Sequence, residues 1–193
     1  MKFFRFFTAV LPALFWLAII FGFDKPYIAI LTLIAAAIHE AGHIAAISLL
    51  KKESLSLPRA ITAGFRIKVR NLSYKEEAVI ALAGPFINLA VGFLTLMIFS
   101  ASEYMTAFAL INLLTGFSNL LIIEGFDGYK AVNAILSEIL PIYKSDDITK
   151  KISFALSLIL TFFSLYLLLR FGEGYWVFAV FFCIAIKFIL KRR

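Results

Sequence analysis

Residues 27–50 read YIAILTLIAAAIHEAGHIAAISLL, an apolar run interrupted just past its middle by His39, Glu40 and His43. A helix needs about 20 apolar residues to cross the roughly 30 Å of hydrocarbon in a bilayer. The run is long enough, and its small alanines would let neighbouring helices approach closely. It therefore predicts a transmembrane helix that carries a polar cluster inside the membrane.

The composition of the whole chain agrees with this prediction. Of its 193 residues, 62% are hydrophobic and 16% are charged, and the mean hydropathy is +0.95. Ordinary soluble domains have about 25% charged residues. The composition excludes a soluble globular protein and a disordered tail, and the single cysteine, Cys183, excludes an internal disulfide framework.

Further apolar segments of similar length predict further spans. They are Phe6–Phe23, Glu77–Ser100, Met105–Ile123, Ile152–Phe171 and Gly174–Leu190. The first resembles a signal peptide, but its apolar core is too long and no small-residue cleavage site closes it, so we expect a retained helix. We predict an all-α integral membrane protein with about six transmembrane helices.

The positive charges indicate the orientation of these spans. With six spans, all but two of the 19 lysines and arginines lie on the side of both termini, the exceptions being Lys25 and Arg170. Because cytoplasmic loops are enriched in basic residues, both termini are expected in the cytoplasm. Topology thus accounts for the net charge of +7, and no nucleic-acid partner is expected.

The two connections on the cytoplasmic side, Lys51–Glu76 and Gly125–Lys151, are too short for typical separate domains. We therefore expect residues 1–193 to form a single polytopic domain. Within the first connection, Leu55–Leu57 and Phe65–Val69 have the composition of β-strands and could form a small hairpin on the cytoplasmic face. The alternative is a basic loop held near anionic lipid headgroups.

The polar cluster of the second span has the pattern H-E-x-x-H. On a helix, His39 and His43 share a face and can bind one Zn²⁺, while Glu40 can act as general base on the bound water. These are the only two histidines of the chain. A carboxylate inside a membrane costs about 3 kcal/mol or more, which favours a function over the alternative of a structural His/Glu cluster.

A catalytic zinc usually has three protein ligands. With no third histidine, the remaining ligand should be a carboxylate, and Glu124 and Asp127 are the candidates on the expected side. Gly125 and Gly128 bracket Asp127 and would let the helix open, so that a turn brings the carboxylate inward. Spacing and chemistry favour Asp127 only weakly, and both candidates stay open.

Three motifs together resemble a known family. His39-Glu40-Ala41-Gly42-His43 is followed by Ala83-Gly84-Pro85-Phe86-Ile87-Asn88, and then by Asn119 with Asp127-Gly128. This order is similar to that in the site-2 protease family of intramembrane zinc metalloproteases (peptidase family M50). The resemblance covers about residues 28–135, where the family has its three-helix catalytic core, and departs from the family at Ile122, which replaces a proline.

The resemblance implies one zinc per chain, held by His39, His43 and Asp127. It implies Glu40 as the catalytic general base and Asn119 as a residue that binds near the developing oxyanion. It also favours Asp127 over Glu124 as the third ligand, which the residues alone did not decide.

The resemblance further implies cleavage of a membrane protein within or near a transmembrane segment. The six-span topology and the helix rise along the second span put the active site in the cytoplasmic half of the bilayer. The chain has no room for PDZ or CBS domains, and this compact form is similar to the sporulation branch, in which the substrate is a membrane-tethered pro-sigma factor. A regulatory membrane protein is a possible further partner, beside the lipid bilayer itself. Alternatives are a catalytically silent protein of the same fold that binds a membrane client, and a metal transporter.

Overall fold

A computed structural model gives the fold for part of the chain. It describes residues 26–51, 72–99, 101–171, 181–182 and 184–186. Within these ranges the regular structure is helical, which confirms the predicted all-α class. The first predicted span and the predicted hairpin segments lie outside the described residues.

Helices with defined bounds occupy most of this described part of the chain. They are α1 (Pro26–Lys51), α2 (Tyr74–Phe99), α3 (Glu103–Asn119), α4 (Asp127–Ile139) and α5 (Ile142–Phe171). Three of them are long and apolar enough to cross a membrane, by length and composition: α1, α2 and α5. Of the predicted last span, Gly174–Leu190, only residues 181–182 and 184–186 are described, and these are helical.

The fourth predicted span, Met105–Ile123, is too long at its C-terminal end. Helix α3 ends at Asn119 and spans about 26 Å at 1.5 Å per residue. The chain then turns, and Gly125 has a φ of 116°, a left-handed conformation that favours glycine. The helix ends early because the following residues turn back toward the polar cluster of α1.

The connection Gly125–Lys151, to which the sequence analysis assigned no secondary structure, is also helical in large part. It contains α4, and α5 begins already at Ile142 rather than at Ile152. Helix α4 is amphipathic, with Ala131 and Ala134 buried on one face. Its 13 residues are too few to cross a membrane, and it therefore lacks the long apolar run that predicted the other helices.

Side-chain caps fix the starts of two helices. Ser73 and Glu76 form a reciprocal capping box before α2: the Ser73 backbone N–H donates to the Glu76 carboxylate at 2.7 Å, and the Glu76 N–H to the Ser73 hydroxyl at 3.3 Å. The Ser102 hydroxyl accepts the Met105 N–H at the start of α3. Leu140 is extended before Pro141, as expected for a residue that precedes proline, and this separates α4 from α5.

The residues Ile30–Lys150 form one compact unit, in which α2 packs against α1, α3 and α4. Helices α1 and α2 are antiparallel, since His39 contacts Asn88 whereas His43 contacts Ile80. They approach closely at Gly42, where a Cβ atom would lie 2.7 Å from the Ala83 carbonyl oxygen. Small residues at this crossing bring the polar cluster of α1 next to the backbone of α2.

The other compact unit includes residues 151–171 of α5. This stretch carries a row of buried hydroxyl groups at about four-residue spacing: Ser153, Ser157, Thr161 and Ser164. The last three donate hydrogen bonds to carbonyl groups one turn earlier in the same helix, at 2.7–2.9 Å. Such bonds satisfy polar groups in an apolar surrounding.

Candidate metal centre

Three side-chain atoms from two helices meet at one point. The Nε2 atoms of His39 and His43, one turn apart on α1, are separated by 3.1 Å. Asp127 Oδ2 lies 2.8 Å from the first and 3.1 Å from the second. His39 and Asp127 are buried, with 7% and 4% of their surfaces exposed.

The backbone of α2 orients His43. Its Nδ1 atom lies 2.7 Å from the Ile80 carbonyl oxygen. Because a carbonyl oxygen can only accept a hydrogen bond, Nδ1 carries the proton. The lone pair of a neutral imidazole is then on Nε2, which faces the centre.

Asp127 is placed by the turn that joins α3 and α4. It is the first residue of α4, and Gly128 follows it where a Cβ atom would collide with the Leu120 carbonyl group. The other carboxylate oxygen, Oδ1, accepts a hydrogen bond from Lys130 Nζ at 2.6 Å. The two oxygens therefore have separate partners, and Lys130 holds the carboxylate with Oδ2 toward the imidazoles.

Gly84 of α2 closes the centre from the side. A Cβ atom there would lie 2.5 Å from His43 Nε2 and 2.9 Å from His39 Cε1. Both distances are shorter than van der Waals contact, so a larger residue would displace the rings. Glycine is the residue that lets α2 pass this close to both imidazoles.

The residues present fit a zinc ion. Two imidazole nitrogens and one carboxylate oxygen form the donor set typical of catalytic zinc. With zinc bonds of about 2.0–2.2 Å, ligand atoms at tetrahedral positions are about 3.3–3.6 Å apart. The three observed separations, from 2.8 to 3.1 Å, are shorter. Among the described residues, His39, His43 and Asp127 form the group of this kind that could hold a metal.

The other residues predicted from the sequence are not among these three ligand atoms. Glu40 is half-buried and follows His39 on α1. Asn119, the last residue of α3, is half-buried, and its Nδ2 donates to the Thr115 carbonyl at 3.0 Å. Glu124 is not part of the group of ligand atoms, so the structure brings Asp127 and not Glu124 to the imidazoles.

Sequence reasoning assigned no role to several residues that support the centre: Ile80, Asn88, Asn112 and Lys130. The signal for the two asparagines was available, because an amide inside an apolar span is costly unless it has a partner. The carbonyl of Ile80 could not have been found, since every residue has one. Lys130 follows Asp127 at the spacing of helical neighbours, and this spacing predicts an ion pair once α4 is recognised.

Comparisons with known proteins give the class of the fold. No protein-family model matches this chain, and no curated protein matches it. The structure is similar to a solved structure of the site-2 protease from Methanocaldococcus jannaschii, with a TM-score of 0.64 and 22% sequence identity over 96% of this chain and 88% of that chain. This likeness shows the fold and confirms the resemblance inferred from the motifs at that level.

Proposed function

We propose that this protein is an intramembrane zinc metalloendopeptidase of the site-2 protease type. The observation that carries the proposal is the convergence of His39 Nε2, His43 Nε2 and Asp127 Oδ2 within 3.1 Å of one another in an apolar helical protein. The shared fold and the H-E-x-x-H pattern support it.

In this proposal His39, His43 and Asp127 hold one zinc ion. When bound, zinc polarises a carbonyl group and lowers the pKa of a water molecule to about 7. Glu40 takes the proton from the attacking water and later delivers it to the nitrogen of the leaving amine. Its position beside His39, on the flank of α1 and only half-buried, suits a base that approaches water rather than the metal.

Asn119 is proposed as the hydrogen-bond donor to the oxyanion. A side-chain amide has two N–H groups, and one is engaged with the Thr115 carbonyl. That bond holds the amide against the last turn of α3, and the second N–H is the proposed donor. The loss of such a donor costs about 2.7–4 kcal/mol in comparable sites.

The proposed substrate is a membrane protein cut within or near a transmembrane segment. A helix in the bilayer has its carbonyl groups in hydrogen bonds, so the segment must unwind locally before attack. A role in regulated intramembrane proteolysis follows, and a membrane-tethered pro-sigma factor is one candidate substrate. The active site is proposed to open to the cytoplasm.

The test compares Glu40→Gln with the wild-type chain on a membrane-embedded substrate in liposomes. Glutamine keeps the size and hydrogen-bonding capacity of the side chain but removes the base. We expect Glu40→Gln to keep zinc and to elute as the folded protein, while cleavage falls by about 10²-fold or more.

His39→Ala is the comparison variant for Glu40→Gln, because it removes a proposed zinc ligand instead of the base. It should lose cleavage together with zinc. Cleavage by Glu40→Gln at the wild-type rate would refute the proteolytic assignment. A wild-type chain that binds zinc and the substrate without cutting it would instead favour the silent client-binding protein.

A further inference from the structure

We propose that Asn88 and Asn112 form a buried amide relay that fixes the tautomer and the ring orientation of His39. Both would be positioning residues for the metal centre, and Asn112 would act without touching any ligand. The inference rests on the proposed function, because the tautomer matters only where His39 Nε2 binds a cation.

The hydrogen-bond partners of Asn88 determine which way its amide oxygen and nitrogen face. Asn88 is fully buried, and its Nδ2 lies 3.0 Å from the Ala35 carbonyl oxygen and 2.8 Å from Asn112 Oδ1. A carbonyl oxygen can only accept, so the NH₂ group must face Ala35. The amide oxygen is thereby turned toward His39 Nδ1, at 2.9 Å, and this nitrogen must carry the proton.

A second backbone carbonyl fixes Asn112 in the same way. Asn112 is also fully buried, and its Nδ2 donates to the Phe108 carbonyl oxygen at 2.9 Å. Its Oδ1 is therefore the atom that meets Asn88. The relay joins α1, α2 and α3. The NH₂ group of each amide donates to a backbone carbonyl oxygen, which can only accept, and this fixes the orientation of the amide.

The reversed arrangement is excluded by repulsion. If the Asn88 amide were rotated by half a turn, its oxygen would face two acceptors, the Ala35 carbonyl and Asn112 Oδ1. Its NH₂ group would then face His39 Nδ1 and move the ring proton to Nε2, where it blocks metal binding. Acceptor contacts of this kind are costly in a buried site, so the relay selects the tautomer that can bind metal.

Zinc affinity of the full-length chain, measured by competition with a chelator, gives the first test. We expect Asn88→Leu to bind zinc about 10- to 100-fold more weakly, as for other partners of ligating histidines. Asn112→Leu should weaken binding by about two- to tenfold, the effect of losing one hydrogen bond. The control is Thr115→Val, which removes a buried hydroxyl of α3 that donates to the Ile111 carbonyl, and it should bind like wild type.

The ring ¹⁵N NMR spectrum of histidine-labelled, zinc-free protein gives a second test, because it reports which ring nitrogen of each histidine carries the proton. A merely structural role of Asn88 would not change this. The chain has two histidines, so a protein without a histidine tag gives two rings. In the wild-type chain the neutral tautomer of His39 should be the one protonated at Nδ1. In Asn88→Leu its proton should move to Nε2, where Asp127 is the acceptor, while His43 stays protonated at Nδ1 through Ile80.

The outcomes separate the relay from the proposed function. A wild-type His39 protonated at Nε2 would overturn the relay without any variant, and so would wild-type zinc affinity in both leucine variants. If the wild-type chain bound no zinc but showed the expected tautomers and their change in Asn88→Leu, the relay would stand and the proposed function would fail.

Discussion

At the scale of single residues, Asp127 is the proposed ligand whose assignment depends most on the structure. It meets both imidazoles, whereas Glu124, three residues earlier, is outside the ligand group. We therefore expect Asp127→Ala to lose zinc and Glu124→Ala to keep about one zinc per chain, as measured by metal analysis of the purified proteins. The opposite pattern would mean that the third ligand had been misassigned.

Asp127 also shows how much of the candidate site could be predicted from the sequence. The pairing of His39 with His43 was predictable because positions four apart meet on any helix. The choice between Glu124 and Asp127 was favoured only by the family resemblance, since it depends on where α3 ends and how the chain turns at Gly125. Nothing local to either carboxylate determines that turn.

At the scale of elements, the approach of α2 to α1 is the feature that the centre depends on. Gly84→Ala should displace both imidazoles and weaken zinc binding by about tenfold or more, although alanine favours the helix by roughly 0.5–1 kcal/mol. Zinc affinity and thermal unfolding of the same sample separate the two effects.

Gly92→Ala on the same helix is the matched control. A Cβ atom at Gly92 would lie 2.7 Å from Leu113 Cγ and 3.0 Å from the Ala109 carbonyl oxygen, neither of which belongs to the candidate metal centre. It should therefore keep the wild-type zinc affinity. If both variants bound zinc alike, the close packing at Gly84 would have no part in shaping the centre.

The helices themselves were predictable to different degrees. Helices α1 and α2 follow their apolar runs to within a few residues, because crossing a bilayer requires about 20 apolar residues in a row. The short amphipathic helix α4 and the early start of α5 were missed, since their buried faces are defined by neighbours and not by overall hydropathy. Tyr129 of α4 donates to Asp146 of α5 at 3.2 Å, a contact between elements that no periodicity reveals.

At the scale of the whole molecule, the distribution of positive charge makes a topological prediction. Reporter fusions at Arg193 and within Lys51–Glu76 should report the cytoplasm, and a fusion at Glu173 should report the other side. The reason is that basic residues are retained on the cytoplasmic face, and only Lys25 and Arg170 depart from this pattern. An external C-terminus would contradict the six predicted spans and the cytoplasmic active site.

The wide separation of the ligands along the chain has a consequence for biosynthesis. His39 and Asp127 are 88 residues apart, so at about 5–20 residues per second a ribosome needs roughly 4 to 18 s between them. A nascent chain that has inserted only α1 and α2 has both histidines but no carboxylate to complete the centre. If the proposed function holds, the newborn protein is inert toward its membrane neighbours until α4 has begun to form.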